Sequence, residues 1–379
     1  MHTVDHALVL NFHQPAGNLW SLLETEPWQA HEILYAMDRM PRSLWEFEGI
    51  ARVHLSLSGT LLETLADPAF QQKVYGIVDV GSLLWHLQNE RLFKILGTAY
   101  YHAVLPLIPE DDRPAQIERW LGIARHLFWR DRFDGFWPPE MGFSMELIPL
   151  LKRYGYRYVL VDSEHVRPVT SMRWEELLYR PHVARYGEEE IIVVVRDRDL
   201  SNAQESGMEY GWFEQEVANR TRWCDFPPLV TTATDGDNGG WFRNTTEGAN
   251  FWSAFYRELL QHAMHPFALI RPSFIDDYLD RHGAHGEVTV ETGAWNTGWH
   301  HGRGFVQWTG SQAQRDALAR VAAVSHCLHE RKNSFDMQTF EQAYWRLLRA
   351  QTSCNFYWGE AWVDRCHADL DAVEQIMGS

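Results

Sequence analysis

RVHLSLSGTLLETL, residues 52–65, holds the fold in miniature. From Arg52 to Leu57 the apolar Val53, Leu55 and Leu57 alternate with His54 and Ser56, the period of a strand, and after Ser58 the leucines 61, 62 and 65 gather on one face, the period of a helix. A strand running straight into a helix builds parallel strands joined by crossovers when it repeats. It does repeat. His6 to Phe12, Tyr158 to Asp162, Ile191 to Arg196 and Leu229 to Thr234 are strand-like, with weaker runs at Lys94 to Gly97 and Gly135 to Trp137. Ser144 to Tyr154 is a second helical stretch, its Leu147, Ile148, Leu150 and Leu151 on one face. About seven such units in roughly 240 residues predict an α/β barrel rather than an open sheet, with chemistry at the C-terminal ends of the strands.

From Ser311 the pattern is helical only: Leu318, Val321, Ala322, Ser325 and Leu328 recur at helical spacing, then Phe340, Tyr344, Leu347 and Leu348, then Leu370, Val373 and Ile376. The expected division is a barrel over residues 1–300 and a helical C-terminal region over 301–379 packed on it, since no Pro/Gly/Ser linker separates them. The 379 residues carry a formal charge of −17, which disfavours nucleic acid and anionic membrane surfaces as partners. Four scattered cysteines without a Cys-x-x-Cys pair, an opening Met1 to His6 lacking Lys and Arg, and no run near the roughly 20 apolar residues of a membrane span lead us to expect a reducing, cytoplasmic setting.

The strand ends carry the chemistry. They read Asn11-Phe12-His13-Gln14-Pro15, Tyr100-Tyr101-His102, Phe136-Trp137-Pro138-Pro139-Glu140 and Thr234-Asp235-Gly236-Asp237. Glu140 follows two prolines that stiffen its backbone, and Asp235 precedes a glycine-rich turn able to wrap a ligand. Two carboxylates converging from different strands are the equipment for cleaving a glycosidic bond: one ionised at the anomeric carbon, the other protonated at the leaving oxygen. Asp237 is a source of the like charge that would keep Asp235 protonated. The chain is also rich in aromatics, at 13%, and many of its 18 tryptophans sit in loop-like settings beside Gly, His or Asn, where an indole can stack on the C–H face of a sugar. Trp137, Trp241, Trp295, Trp299 and Trp358 are the candidates for that role.

In order along the chain, His13-Gln14-Pro15, GTAYYHAVLP (Gly97 to Pro106), WPPE (Trp137 to Glu140), TDGDNGGWF (Thr234 to Phe242) and AQTSCNFYWG (Ala350 to Gly359) resemble the five blocks of glycoside hydrolase family 57. The resemblance implies an incomplete parallel (β/α)7 barrel followed by a helical C-terminal layer. It further implies Glu140 as nucleophile, Asp235 as general acid/base, His13 bonded to hydroxyls of the central sugar, and an α-glucan or oligosaccharide as substrate, with no cofactor. Three positions depart from the family's usual blocks: Asp237 stands where a Glu is common, Ala103 where a Pro is common, and Glu360 where a His often appears near Trp358.

His13, His102, His300 and His301 occupy loop positions, and a metal-dependent polysaccharide deacetylase is the rival enzyme they suggest. These four make no His-x-His or His-x-x-x-His pair, so we assign no metal and place His102 and His300 with Asp237 among the substrate-binding residues. A glucan-binding protein without turnover is the second rival.

Overall fold

The computed structural model describes residues 3–298 and 302–378, so Trp299, His300 and His301 lie outside the described residues. Eleven strands are described: β1 (Val4–Phe12), β2 (Val53–Leu57), β3 (Phe93–Leu96), β4 (Gly135–Phe136), β5 (Tyr158–Asp162), β6 (Val166–Pro168), β7 (His182–Tyr186), β8 (Glu189–Arg196), β9 (Leu229–Asp235), β10 (Ile270–Pro272) and β11 (Val288–Val290). Seven of them lie side by side in the order β3-β2-β1-β9-β8-β5-β4, every neighbouring pair parallel. A bridge between Gly97 and Phe136 joins the two outer strands, with Gly97 N donating to Gly135 O at 2.9 Å and Trp137 N donating to Gly97 O at 2.8 Å. Gly97 is required there, because a Cβ would fall 2.2 Å from the Tyr156 hydroxyl. The result is a nearly closed seven-stranded parallel barrel, as the strand–helix rhythm predicts.

Side-chain parity decides what faces inward. On β1, Ala7 and Val9 fill the barrel while Leu8, Leu10 and Phe12 pack against the surrounding helices; on β9, Leu229 and Ala233 point in and Val230 out. Carrying the parity upward puts Asn11, Asp162, Arg196 and Asp235 at the mouth. Trp137, wholly buried, fills the barrel below them. The lower end is plugged by the helix Ile275–His282, whose Tyr278 hydroxyl donates to Pro227 O at 2.6 Å just before β9.

The seam between β8 and β9 is thin, with a single register pair, Arg196 with Thr231. Side chains take over where the ladder stops. Arg196 Nε donates to Ala233 O (2.7 Å), Ala233 N donates to Ser201 Oγ (3.0 Å), and Gln204 Nε2 donates to Thr234 Oγ1 (2.9 Å). Arg196 also pairs with Asp162 at 2.6 Å, so one buried guanidinium ties β5, β8 and β9 together. Ser201 and Gln204 belong to the helix Arg198–Ser206, which thereby serves as the missing strand's hydrogen-bond partner.

Two helices that the strand–helix rhythm does not announce, Asn18–Thr25 and Pro27–Leu44, follow β1 and wall the mouth. The helical stretch from Ser144 is instead a short 3-10 turn, Met145–Leu147, leading into Ile148–Arg153, with Pro149 in the first turn where its missing N–H costs nothing. The C-terminal helices Val306–Thr309, Gln312–Glu330, Met337–Ala350, Cys354–Tyr357 and Glu360–Met377 share one apolar core with the barrel's outer face. Among the described residues no helix is long and apolar enough to cross a membrane.

Candidate active site

A cavity of about 650 Å³ opens at the C-terminal ends of the barrel strands. Its floor and near walls hold Asn11, His13, Gln14, His102, Glu140 and Asp235. The β1 exit loop supplies His13 and Gln14; the two helices after it add Ser21, Thr25 and Gln29; the C-terminal helices add Cys354, Tyr357, Trp358 and Trp362.

Glu140 sits in the left-handed region, φ 59°, with Met141 beside it at φ 49°. Pro138 and Pro139 leave the turn little freedom, and Trp295 N closes it by donating to Glu140 O at 3.0 Å. Of the four non-glycine residues with positive φ among the described residues, His102, Glu140 and Met141 cluster here, the kind of backbone strain that a surrounding structure holds at functional sites. The Glu140 carboxylate takes one hydrogen bond on each oxygen, from Ser353 Oγ at 2.7 Å and from Trp295 Nε1 at 3.1 Å. Burial raises its pKa and those two donors oppose the rise.

Asp235 ends β9, where Asn11 Nδ2 donates to its Oδ1 at 2.9 Å. Burial and then the charge of Asp237 push its pKa well above the usual carboxylate range, against Asn11's bond. Asp237, 3% exposed, accepts from Gln14 Nε2 at 2.8 Å, and burial lifts it to about 6. His102 and His13 stack at 4.1 Å with their planes 9° apart. Burial holds both neutral, His13 at about 3 and His102 well below its ordinary value, with His13 adding to the latter.

The structure thus brings together in one cavity Glu140, Asp235, His13, His102, Asp237, Trp295 and Trp358. Two expected sugar platforms are elsewhere, and both expectations are corrected. Trp137 has no exposed surface and meets Trp295 edge-on at 5.6 Å, because its inward parity buries it in the barrel. Trp241 packs under the turn against Phe251 and beside Gly207. Trp295 lines the cavity but is 9% exposed; its indole N–H holds Glu140, and the Arg196 guanidinium lies over its ring at 5.8 Å. Trp299 and His300 fall outside the described residues. Asn11 and Gln14, neighbours of His13 at the end of β1, and Ser353, next to Cys354 in the fifth block, are site residues that no strand-end carboxylate or aromatic pattern marks. Among the described residues no group of three or more His, Cys, Asp or Glu side chains is arranged to hold a metal ion.

The family model described as glycosyl hydrolase family 57 matches residues 26–291. A 4-alpha-glucanotransferase of Thermococcus kodakarensis is 30% identical over 202 residues, 53% of this chain and 28% of that protein. An alpha-amylase of Pyrococcus horikoshii is 26% identical over 202 residues, 53% of this chain and 29% of that protein. The matched region therefore spans less than a third of these curated relatives. In fold, the chain is similar to the crystal structure of 4-alpha-glucanotransferase from Thermococcus litoralis (TM-score 0.74, 19% identity, 99% of this chain and 60% of that one). It is similar also to a branching enzyme from Thermococcus kodakaraensis (TM-score 0.78, 13% identity, 99% of this chain and 90% of that one).

Proposed function

The chain belongs to glycosyl hydrolase family 57, and from that membership we propose that it acts on α-linked glucans with retention of configuration, hydrolysing or transferring glycosyl units through a covalent intermediate on Glu140. The observation that carries the reading is the contrast between two carboxyls in one cavity: Glu140 receives a donor on each oxygen, whereas Asp235 stands beside Asp237 and is pushed well up. Those are the opposite needs of a nucleophile and a proton donor.

In the first step the Glu140 carboxylate attacks the anomeric carbon while Asp235 gives its proton to the departing glycosidic oxygen, so the C–O bond to the leaving sugar breaks as the ester forms. In the second, the Asp235 carboxylate takes a proton from water or an acceptor hydroxyl, whose oxygen attacks the anomeric carbon and frees Glu140. Neutral His13 presents a ring nitrogen to sugar hydroxyls without adding charge, and the half-exposed Trp358 offers an indole face on the outer wall.

The test is a panel of α-glucans with the anomer of the first product followed by NMR. The expected product retains the α configuration. Glu140→Gln should lower turnover by several orders of magnitude with little change in glucan affinity. Asp235→Asn should be milder on substrates with activated leaving groups and be partly rescued by azide, giving a glycosyl azide. An inverted product, or full activity in Glu140→Gln, overturns the assignment; glucan binding without turnover in the parent would make the chain a binding protein.

A further inference from the structure

A line of hydrogen-bonding groups connects the two carboxyls through residues that neither step uses. Ser353 Oγ lies 2.7 Å from Glu140 Oε1 and 3.1 Å from His102 Nδ1; His102 Nε2 lies 3.5 Å from Asn11 Nδ2; Asn11 Nδ2 lies 2.9 Å from Asp235 Oδ1. Ser353, His102 and Asn11 are each about 1% exposed, so water does not compete for these contacts.

Given the reading of Glu140 as the ionised nucleophile, on which this inference rests, the protons along the line have one consistent placement. An ionised carboxylate only accepts, so Ser353 donates its single O–H to Glu140. Its oxygen must then accept from His102, which puts the ring proton on Nδ1. His102 is neutral and pressed face to face on His13, so Nε2 is bare and needs a donor, which the Asn11 amide nitrogen supplies. The other N–H of that amide points at Asp235 Oδ1. The acid's proton is therefore left to Oδ2, the oxygen free of this contact.

We propose that Asn11, His102 and Ser353 form a directed donor chain of positioning residues, with Ser353 holding Glu140 ionised and aimed and Asn11 assigning the transferable proton to Oδ2 of Asp235. Facing Glu140 besides Ser353 and Trp295 are His102 itself, whose Nδ1 lies 3.6 Å from Glu140 Oε1, the Asp235 carboxyl, and Cys354 and Tyr357 of the C-terminal wall; Asp237 and Glu205 also face Asp235. Of these partners, Ser353 alone both touches Glu140 and contacts His102, so its removal should act on the nucleophile first.

Two measurements test this. With α-maltotriosyl fluoride, whose leaving group needs little protonation, Ser353→Ala should lower kcat about 10- to 100-fold, the size of one hydrogen bond to a charged group, with KM changed less than about threefold. The acid limb of its kcat/KM profile should move to higher pH by ~1 unit, because Glu140 loses a donor that favours its charge. Ser353→Thr, which keeps the hydroxyl, should restore both. Independently of turnover, ¹⁵N NMR of the histidine rings in the parent, with His102 assigned by its loss in His102→Asn, should show Nδ1 protonated and Nε2 bare. An unmoved acid limb in folded Ser353→Ala, or a His102 protonated on Nε2, overturns the chain. A parent that leaves the fluoride intact while His102 carries its proton on Nδ1 would refute the catalytic reading and keep the network.

Discussion

At Asp235, opposing effects are resolved within a few ångströms. Burial and the Asp237 charge favour its protonated form, and the Asn11 N–H favours the ionised one. Replacing Asp237 by Asn keeps an oxygen for the Gln14 amide and removes the charge. The basic limb of the pH–rate profile, which reports the acid, should then move to lower pH. Stability supplies a second reading. The pKa of Asp237 is about 6 in the folded chain, above the ~3.9 of a free Asp. Its contribution to stability is therefore present below pH ~4 and lost as pH rises through ~6. The Tm difference between Asp237→Asn and the parent should grow in the variant's favour from pH 4 to pH 7, and a difference flat across that range would refute the burial argument. The carboxylates themselves were readable in the sequence because each ends a strand beside prolines or glycines. The groups that tune Glu140 were not, since Trp295 and Ser353 lie 155 and 213 positions away in the chain.

Among the elements, all seven barrel strands stand at the strand-like runs of the sequence, because runs of β-type residues, whether alternating as at 53–57 or continuous as at 191–195, are local information. What the strand pattern cannot show is which neighbours fail to pair. β9 is as apolar at Val230 and Ala233 as a fully laddered strand, yet its β8 side is hydrogen-bonded by side chains, and that depends on how Arg198–Ser206 docks. Ser201 is the test. Ser201→Ala leaves the Ala233 N–H buried without its acceptor, which should cost ~1–2 kcal/mol in denaturant unfolding. Because Asp235 follows Ala233 by two residues, kcat should fall several-fold while KM changes less. An unchanged unfolding midpoint would mean that the seam is held elsewhere. The misplacement of Trp137 and Trp241 has a related cause: an indole next to Pro or Gly in the sequence looks like a loop platform, but inward parity buries Trp137 and packing on Phe251 partly buries Trp241 away from the cavity.

For the whole molecule, the C-terminal helices past the division near residue 300, expected to pack on the barrel, act either as the barrel's missing wall or as a unit that folds by itself. Their contacts favour the wall. Asp112, wholly buried just before the helix Arg113–Phe128, accepts from His329 Nε2 at 2.8 Å and from Gln351 Nε2 at 2.6 Å, both from the C-terminal helices. Gln116 reaches Leu348 O and Gln351 Oε1 at 3.0 Å each, and the Arg119 guanidinium covers the Trp345 ring at 3.4 Å. Ser353 then completes the cavity from the same side. We expect tryptophan fluorescence, far-UV circular dichroism and activity to be lost at one denaturant concentration. Asp112→Ala, which strips His329 and Gln351 of a buried acceptor, should lower all three midpoints together, a loss of about 3 kcal/mol in unfolding free energy. The bond to Asp112 raises the His329 pKa against the effect of burial. That part of the stability is thus full below the ordinary histidine value and lost as pH climbs through the raised one, so the parent's midpoint should fall above neutral pH more steeply than that of Asp112→Ala. A first transition that removes activity and part of the fluorescence while the barrel's dichroism persists would show two units folding separately, and the wall would then be a docked domain.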